Sequence, residues 1–288
     1  MEGCHNARNY SKLAIEFPIS EIDPHVEFFE ESHQYIVRGE TVPRSATKVV
    51  SYAVAEEPFD SNLVISKNMA SWRSKPKSKY GKIILDLSDE DATHKITSLW
   101  TSANELGTKL HKRLEAHLND EDEPDDGVTD IEWQILNNGL AQLQRLGWVP
   151  RRTELSLWWE RQSDGKVVCA GQIDALFSDV QGNLVLVDLK RTDHDLSADV
   201  IPFREKTCRP PLERFYANDF IKYSLQLSIY AVMLEQRTGI EIAPDRRWLL
   251  QAHPSKSDLV WTMCRCLDEE AVLILNALDL DQIDQAES

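Results

Sequence analysis

The sequence has no CxxC pair, and its five cysteines (Cys4, Cys169, Cys208, Cys264 and Cys266) are scattered and odd in number. That excludes a zinc ribbon, a four-cysteine iron–sulfur cluster and a disulfide framework, and it points to a reducing compartment. No apolar run approaches the roughly 20 residues of a membrane span. The first 30 residues lack a basic-then-apolar leader pattern and already contain Glu2, Glu16 and Glu21. An intracellular protein, cytoplasmic or nuclear, with no membrane partner is therefore expected. GxxxxGK[ST] is missing too, which excludes a motor of the P-loop type, and there is no internal repeat. Positive charge is also scarce: 32 Lys and Arg against 48 Asp and Glu give a formal charge of -16.

What is present is ordinary in amount and uneven in distribution. Hydrophobic residues make up 42% and aromatics 8% of 288 residues, enough to bury one large core or two small ones. Eight acids crowd into residues 120–132, in a surface-loop pattern. Basic residues gather in Arg73, Lys75, Lys77, Lys79 and Lys82, and again in Arg204, Lys206, Arg209 and Arg214. Local field governs polyanion binding more than total charge does. The net charge still predicts weak non-specific binding that falls quickly with added salt.

The chain is organised around a hairpin, Cys169 to Phe177 and Leu184 to Lys190, joined through Ser178-Asp179-Val180-Gln181-Gly182-Asn183. Both arms are short apolar runs rich in Val, Ile and Leu about a Gly-Asn turn. Asp174, Asp188 and Lys190 interrupt them. Strand side chains alternate with period two, so Asp188 and Lys190 point the same way, and a neighbouring Asp174 could face them. Charges on a mostly buried sheet are costly unless paired or metal-bound. A structural Asp–Lys ion pair and a metal site both satisfy that condition.

Residues 1–24 show little periodicity and read as a loose arm. Residues 26–42 alternate as a small hairpin with Gly39-Glu40 at its turn. A short helix follows over 48–53, with Ser45 or Thr47 as its cap; a hydroxyl and Arg44 at that helix start could also bind a phosphate. Residues 71–82 read as a basic loop, or as a flap whose Trp72 or Tyr80 stacks on a base. Ser88 caps a helix to about Leu118, with Leu106, Leu110, Leu114 and Leu118 as its buried stripe. Beside that stripe Gly107, His111 and Glu115 share a face. A second helix is predicted over 131–146, a strand over 153–160, and a largely apolar helix over 212–236 with Lys222, Gln226 and Tyr230 on one face. Strands over 247–252 and 259–267 and a helix over 268–280 complete the pattern.

Oxygen ligands with one imidazole suit Mg²⁺ or Mn²⁺ rather than structural zinc. A lysine beside such an ion can orient water and offset charge on a phosphoryl oxygen, as phosphodiester hydrolysis requires. In order the sequence offers Gly107-Thr108-Lys109-Leu110-His111, Gly171-Gln172-Ile173-Asp174, Asp188-Leu189-Lys190 and Gln226-Leu227-Ser228-Ile229-Tyr230. These are GxxxH, GxxD, DxK and QxxxY patterns. Over residues 100–270 the chain thereby resembles the RecB-like exonuclease branch of the PD-(D/E)XK nuclease superfamily, and in layout the mitochondrial genome maintenance and phage-type exonucleases.

The resemblance implies a Mg²⁺- or Mn²⁺-dependent deoxyribonuclease without an iron–sulfur cluster. His111, Asp174, Asp188 and the Leu189 carbonyl would bind the metal, and Lys190 would position the attacking water. Gln226 and Tyr230 would support the site or contact DNA. Glu115 and Glu154 would orient His111 or water, or form structural salt bridges. The implied fold is mixed α/β: a central mixed sheet flanked by helices, a restriction-endonuclease-like core over residues 100–288. Residues 25–99 would form a hairpin and helical wall or flap over the DNA channel, with Arg73, Lys75, Lys77 and Lys79 on the phosphates. The expected substrate is DNA with free, single-stranded ends, and any unwinding would come from a helicase or recombination partner. A catalytically inactive DNA-binding module and a restriction-type endonuclease are the alternatives.

Overall fold

The computed structural model of the protein describes residues 11–56, 59–122, 130–202 and 205–277. Cys4, Arg204, most of the acidic loop and residues 278–280 of the expected last helix lie outside the described residues. The fold is mixed α/β. Helices are α1 (Lys12–Glu16), α2 (Ala46–Ala53), α3 (Ser61–Arg73), α4 (Gly81–Ile84), α5 (Asp89–Leu118), α6 (Asp130–Arg145), α7 (Asp219–Thr238) and α8 (Asp268–Ala277). Strands β1 (Val26–Phe29), β2 (Gln34–Val37) and β3 (Glu40–Thr41) form a small antiparallel sheet. Strands β4 (Val149–Glu160), β5 (Val167–Ser178), β6 (Leu184–Lys190), β7 (Arg247–Gln251) and β8 (Val260–Met263) form the main sheet in that order.

The main sheet is antiparallel except between β6 and β7. A parallel pair needs a crossover, and α7 supplies it. Period-two alternation on β6 sends Val185, Val187 and Leu189 into the core under α5 and α6, while Leu186 enters the core under α7, α8 and α2. Asp188 and Lys190 fall on the α7 side. The β5–β6 turn is closed by Asp179, whose carboxylate accepts from the amides of Gln181 and Asn183, with Gly182 at φ +83°.

Local signals explain most element ends. Ser45 accepts from the Lys48 amide and starts α2; Ser88 accepts from the Asp91 amide and starts α5. Two expectations change. The crossover helix starts at Asp219, not near 212, because Asn218 caps it and the chain before it turns through Pro210-Pro211. Residues 11–24 are not a loose arm. Ser11 caps α1, Leu13 is buried with its amide donating to Asn119 Oδ1, and Asp23 pairs with Arg152 at 2.7 Å.

The basic stretch is a loop only over residues 74–80, between the end of α3 and the start of α4. Ser71, Trp72 and Arg73 finish α3, and the Trp72 and Tyr80 rings pack at 4.6 Å with a tilt of 43°, Trp100 donating to the Tyr80 hydroxyl at 2.8 Å. These rings pack, partly buried, against Ile65, Met69, Ile84, Ala92 and Ile96 in a satellite core. Among the described residues no helix is long and apolar enough to cross a membrane.

Glycine matters at one place in the main sheet. A Cβ on Gly171 would fall 2.6 Å from Tyr230 Cε1 and 2.8 Å from Ala46 Cβ, so glycine is what lets α7 and α2 close on β5. Gly171→Ala should lower the urea midpoint by an amount equal to about 1–3 kcal/mol; an unchanged midpoint would mean that these contacts relax freely.

Candidate metal centre

The site forms where the β5–β6 ladder stops. Pairing runs from Ser178–Leu184 to Ala175–Val187. Beyond it the Leu189 amide donates to Asp174 Oδ2 at 2.7 Å, so a side chain replaces the main-chain acceptor. On the other flank, Thr153 pairs with Ala175 and Leu155 with Ile173, which sets Glu154 beside Asp174. Glu154 has φ +47°, a left-handed conformation rare for a side-chain-bearing residue in a strand.

Long helix α5 brings His111 over this junction, its Nδ1 3.3 Å from Asp174 Oδ2. One ligand atom each from His111, Glu154 and Asp174 lie within 4.8 Å of one another. Two carboxylates and an imidazole at that spacing fit a hard divalent cation such as Mg²⁺ or Mn²⁺. Burial opposes charge on His111, but Asp174 and Glu154 outweigh it and lift the ring to about 9. Burial also opposes charge on Asp174, yet His111 and Lys190 hold it below the usual carboxylate range.

Asp188 sits deeper. It is 1% exposed, and burial pushes it up to about 6 despite the Lys190 ammonium 2.7 Å from its Oδ2. Both carboxylate oxygens are shut off from solvent, and the Lys190 ammonium is the cation that faces them. A carboxylate buried this deeply against one ammonium and close to Asp174 is costly, and it fits a site that gains a cation. Burial lowers Lys190, but Asp188 and Asp174 more than compensate, and its pKa rises above the ordinary lysine value. Its Nζ also reaches Gln226 Oε1 at 3.4 Å and lies 4.6 Å from the Tyr223 ring centre. Gln226 Nε2 in turn donates to the Tyr230 hydroxyl at 2.8 Å.

The structure thus brings His111, Asp174, Asp188, Lys190, Gln226 and Tyr230 to one place. Two expectations shift, those for Glu154 with Asp188 and for Glu115. Glu154 stands in the ligand group itself, while Asp188 is held against Lys190 outside it. Glu115, one turn beyond His111, neither joins the group nor lines the cleft; the acid beside His111 is Glu154. The contribution shown for Leu189 is its amide, with its side chain on the opposite sheet face. Tyr223 was missed, although its spacing from Gln226 puts it on the same helix face.

Two of the basic residues expected on phosphates are held by other protein groups. Arg73 bonds the Leu87 carbonyl at 2.7 Å and Asp89 at 2.5 Å, tying α3 to α5, and Lys79 pairs with Asp193 at 3.0 Å. Lys75 and Lys77 are exposed, and none of the four lines the cleft. That cleft, about 540 Å³, joins His111, Glu154, Asp174 and Tyr230 to Gly107, Lys48, Lys112 and the β1–β2 hairpin.

No family model matches the chain, and no curated protein matches it. Among solved structures it is similar to SSO0001, at 14% identity and a TM-score of 0.35, over 85% of this chain and 76% of that one. A likeness of that size carries no argument, so the reading rests on the residues.

The raised pKa of His111 makes a signed prediction. A group with higher proton affinity in the folded state adds stability below its unfolded pKa, near 6.5, and loses it as pH rises through the folded value, about 9. In chelator-treated protein the Tm should fall between pH 6.5 and 9.5, and His111→Gln should flatten that fall. The Asp188 contribution has the same sign but is gone above pH 6. An equal slope in both proteins would show that His111 is not held by these acids.

Proposed function

We propose that this protein is a divalent-metal-dependent nuclease that hydrolyses DNA phosphodiester bonds at single-stranded ends. The observation that carries the reading is the convergence of His111, Glu154 and Asp174 in one cleft beside a lysine locked in the charged state. The four motif patterns that hold His111, Asp174, Lys190 and Gln226–Tyr230 support the same reading through the resemblance they carry. The preference for ends rests on that resemblance.

His111, Glu154 and Asp174 would hold the ion, with Asp188 behind them. Bound Mg²⁺ or Mn²⁺ would supply Lewis-acid polarisation of a phosphoryl oxygen and a water of lowered pKa. The protein's own part is positioning and charge. With its pKa raised, Lys190 stays protonated at neutral pH, so it acts as a hydrogen-bond donor rather than a base. Asp188, Gln226 and the Tyr223 ring fix its Nζ in place. From there it can orient a water and offset charge gathering on a non-bridging oxygen as the water oxygen bonds to phosphorus and the ester oxygen departs. His111, raised to about 9, must release its proton to ligate, so ion binding and proton release are coupled.

End-labelled linear single-stranded DNA should be digested with Mg²⁺ or Mn²⁺ and spared with EDTA, while circular single strands survive. Lys190→Ala should cut the rate by about 10²–10³-fold and leave oligonucleotide binding within a few-fold. Digestion of circles would remove the end preference and keep the nuclease. A wild-type protein inert in both metals, yet binding DNA, would overturn the enzyme in favour of a binding module.

A further inference from the structure

The cleft has a second wall whose chemistry differs from that of the metal group. It is built by the β1–β2 hairpin, where Phe28 and Tyr35 are direct cross-strand partners. Their rings lie 4.6 Å apart at 36°, and His33 stands 5.7 Å from Phe28 at 42°. Val26 and Val37, one pair further along the same face, are buried in the main core, as is Tyr35. The half-buried Phe28 ring is therefore packed against the main core and lines the same cleft as His111, Glu154 and Asp174.

Two further observations bear on what the space receives. Gly107 lies inside α5 and lines the cleft, and a Cβ there would meet no atom within 4 Å. A helix-interior glycine lowers stability relative to alanine, and here no protein atom requires it, so the bare backbone serves the space in front of it. The second observation is charge. The cleft is lined by Glu30, Glu154 and Asp174 against Lys48 and Lys112, and Lys112 is paired with Glu30 at 2.6 Å. Lysines are outnumbered by acids along this cleft, so an uncharged contact gains weight in holding a strand.

We propose that Phe28, backed by Tyr35, is a stacking platform for the unpaired base adjoining the phosphate held at the His111–Glu154–Asp174 group. The inference rests on the nuclease reading and deepens it: the substrate is nucleic acid with a base free to leave its neighbours, because a paired and stacked base has no face to offer. The 540 Å³ of the cleft suits a nucleotide-sized ligand. The bare backbone at Gly107 leaves room for the sugar and phosphate.

The test uses Phe28→Leu, which keeps apolar bulk but removes the ring, and Phe28→Trp, which keeps a π-face. Binding of a labelled single-stranded oligonucleotide is read by anisotropy with Mn²⁺ in the Lys190→Ala protein, so no cleavage intervenes, and is repeated with an abasic strand of equal length. Phe28→Leu should weaken binding of the ordinary strand about tenfold and leave the abasic strand unchanged, and Phe28→Trp should restore affinity. With Lys190 present, kcat/KM on the ordinary strand should fall by a similar factor. Equal loss on both strands, or no loss on the ordinary one, overturns the platform while hydrolysis by the wild-type protein keeps the nuclease. Absence of metal-dependent hydrolysis in the wild type removes both.

Discussion

The hydrogen bond from the Leu189 amide to Asp174 Oδ2 is the interaction on which the centre depends. A buried amide must find an acceptor, and at this point the β5–β6 ladder has ended at Ala175–Val187. Asp174 completes the sheet's hydrogen bonding and, with the same oxygen, approaches His111. The scaffold and the site are thus one contact. The register of β4 on β5 then decides which acid stands next to Asp174, and a one-residue slip would turn the wrong face of the strand toward α7. This is why two strands of twelve residues, long and mostly buried, flank so small a group.

Charge balance explains why the group tolerates burial. Glu154, Asp174 and Asp188 face His111 and Lys190, and with the imidazole neutral three carboxylates oppose one ammonium. Two negative charges remain, the charge that one divalent cation neutralises. Without a cation the site compensates by holding a proton on His111 and by drawing Asp188 toward neutrality. Lys190 cannot take part in that compensation by moving, because Asp188, Gln226 and Tyr223 surround its ammonium. Removing one member of such a set leaves the others uncompensated, so the effects of single substitutions will not add.

The parts of the site that follow a period were legible in the sequence. Asp188 and Lys190 two apart on a strand, and Gln226 and Tyr230 four apart on a helix, share faces as their spacing requires. Ser88 and the acids after it marked the start of α5 to the residue. What escaped depends on contacts between elements. The position of Glu154 arises from a left-handed backbone at one strand residue, which no pattern announces. Glu115 looked equivalent to Glu154 because spacing along α5 says nothing about which flank of His111 meets the sheet. The basic stretch looked like a flap because tertiary partners such as Leu87, Asp89 and Trp100 are invisible locally. For α7, the apolar run continued upstream of the true start, and only the cap at Asn218 separates turn from helix.

The ion pairs made by these basic residues bear on the electrostatic argument about a polyanion. Arg73 and Lys79 spend their charge on Asp89 and Asp193, and the cleft itself is lined by more acids than lysines. A protein of charge -16 then has little long-range pull on a phosphate chain. Under the proposed function, affinity has to arise at contact: from an ion held by His111, Glu154 and Asp174, and from an uncharged surface for the base. Long-range steering gives way to short-range complementarity, so the protein would engage nucleic acid only where a strand can enter the cleft. Under that proposal, a preference for unpaired ends would be selection by access rather than by attraction.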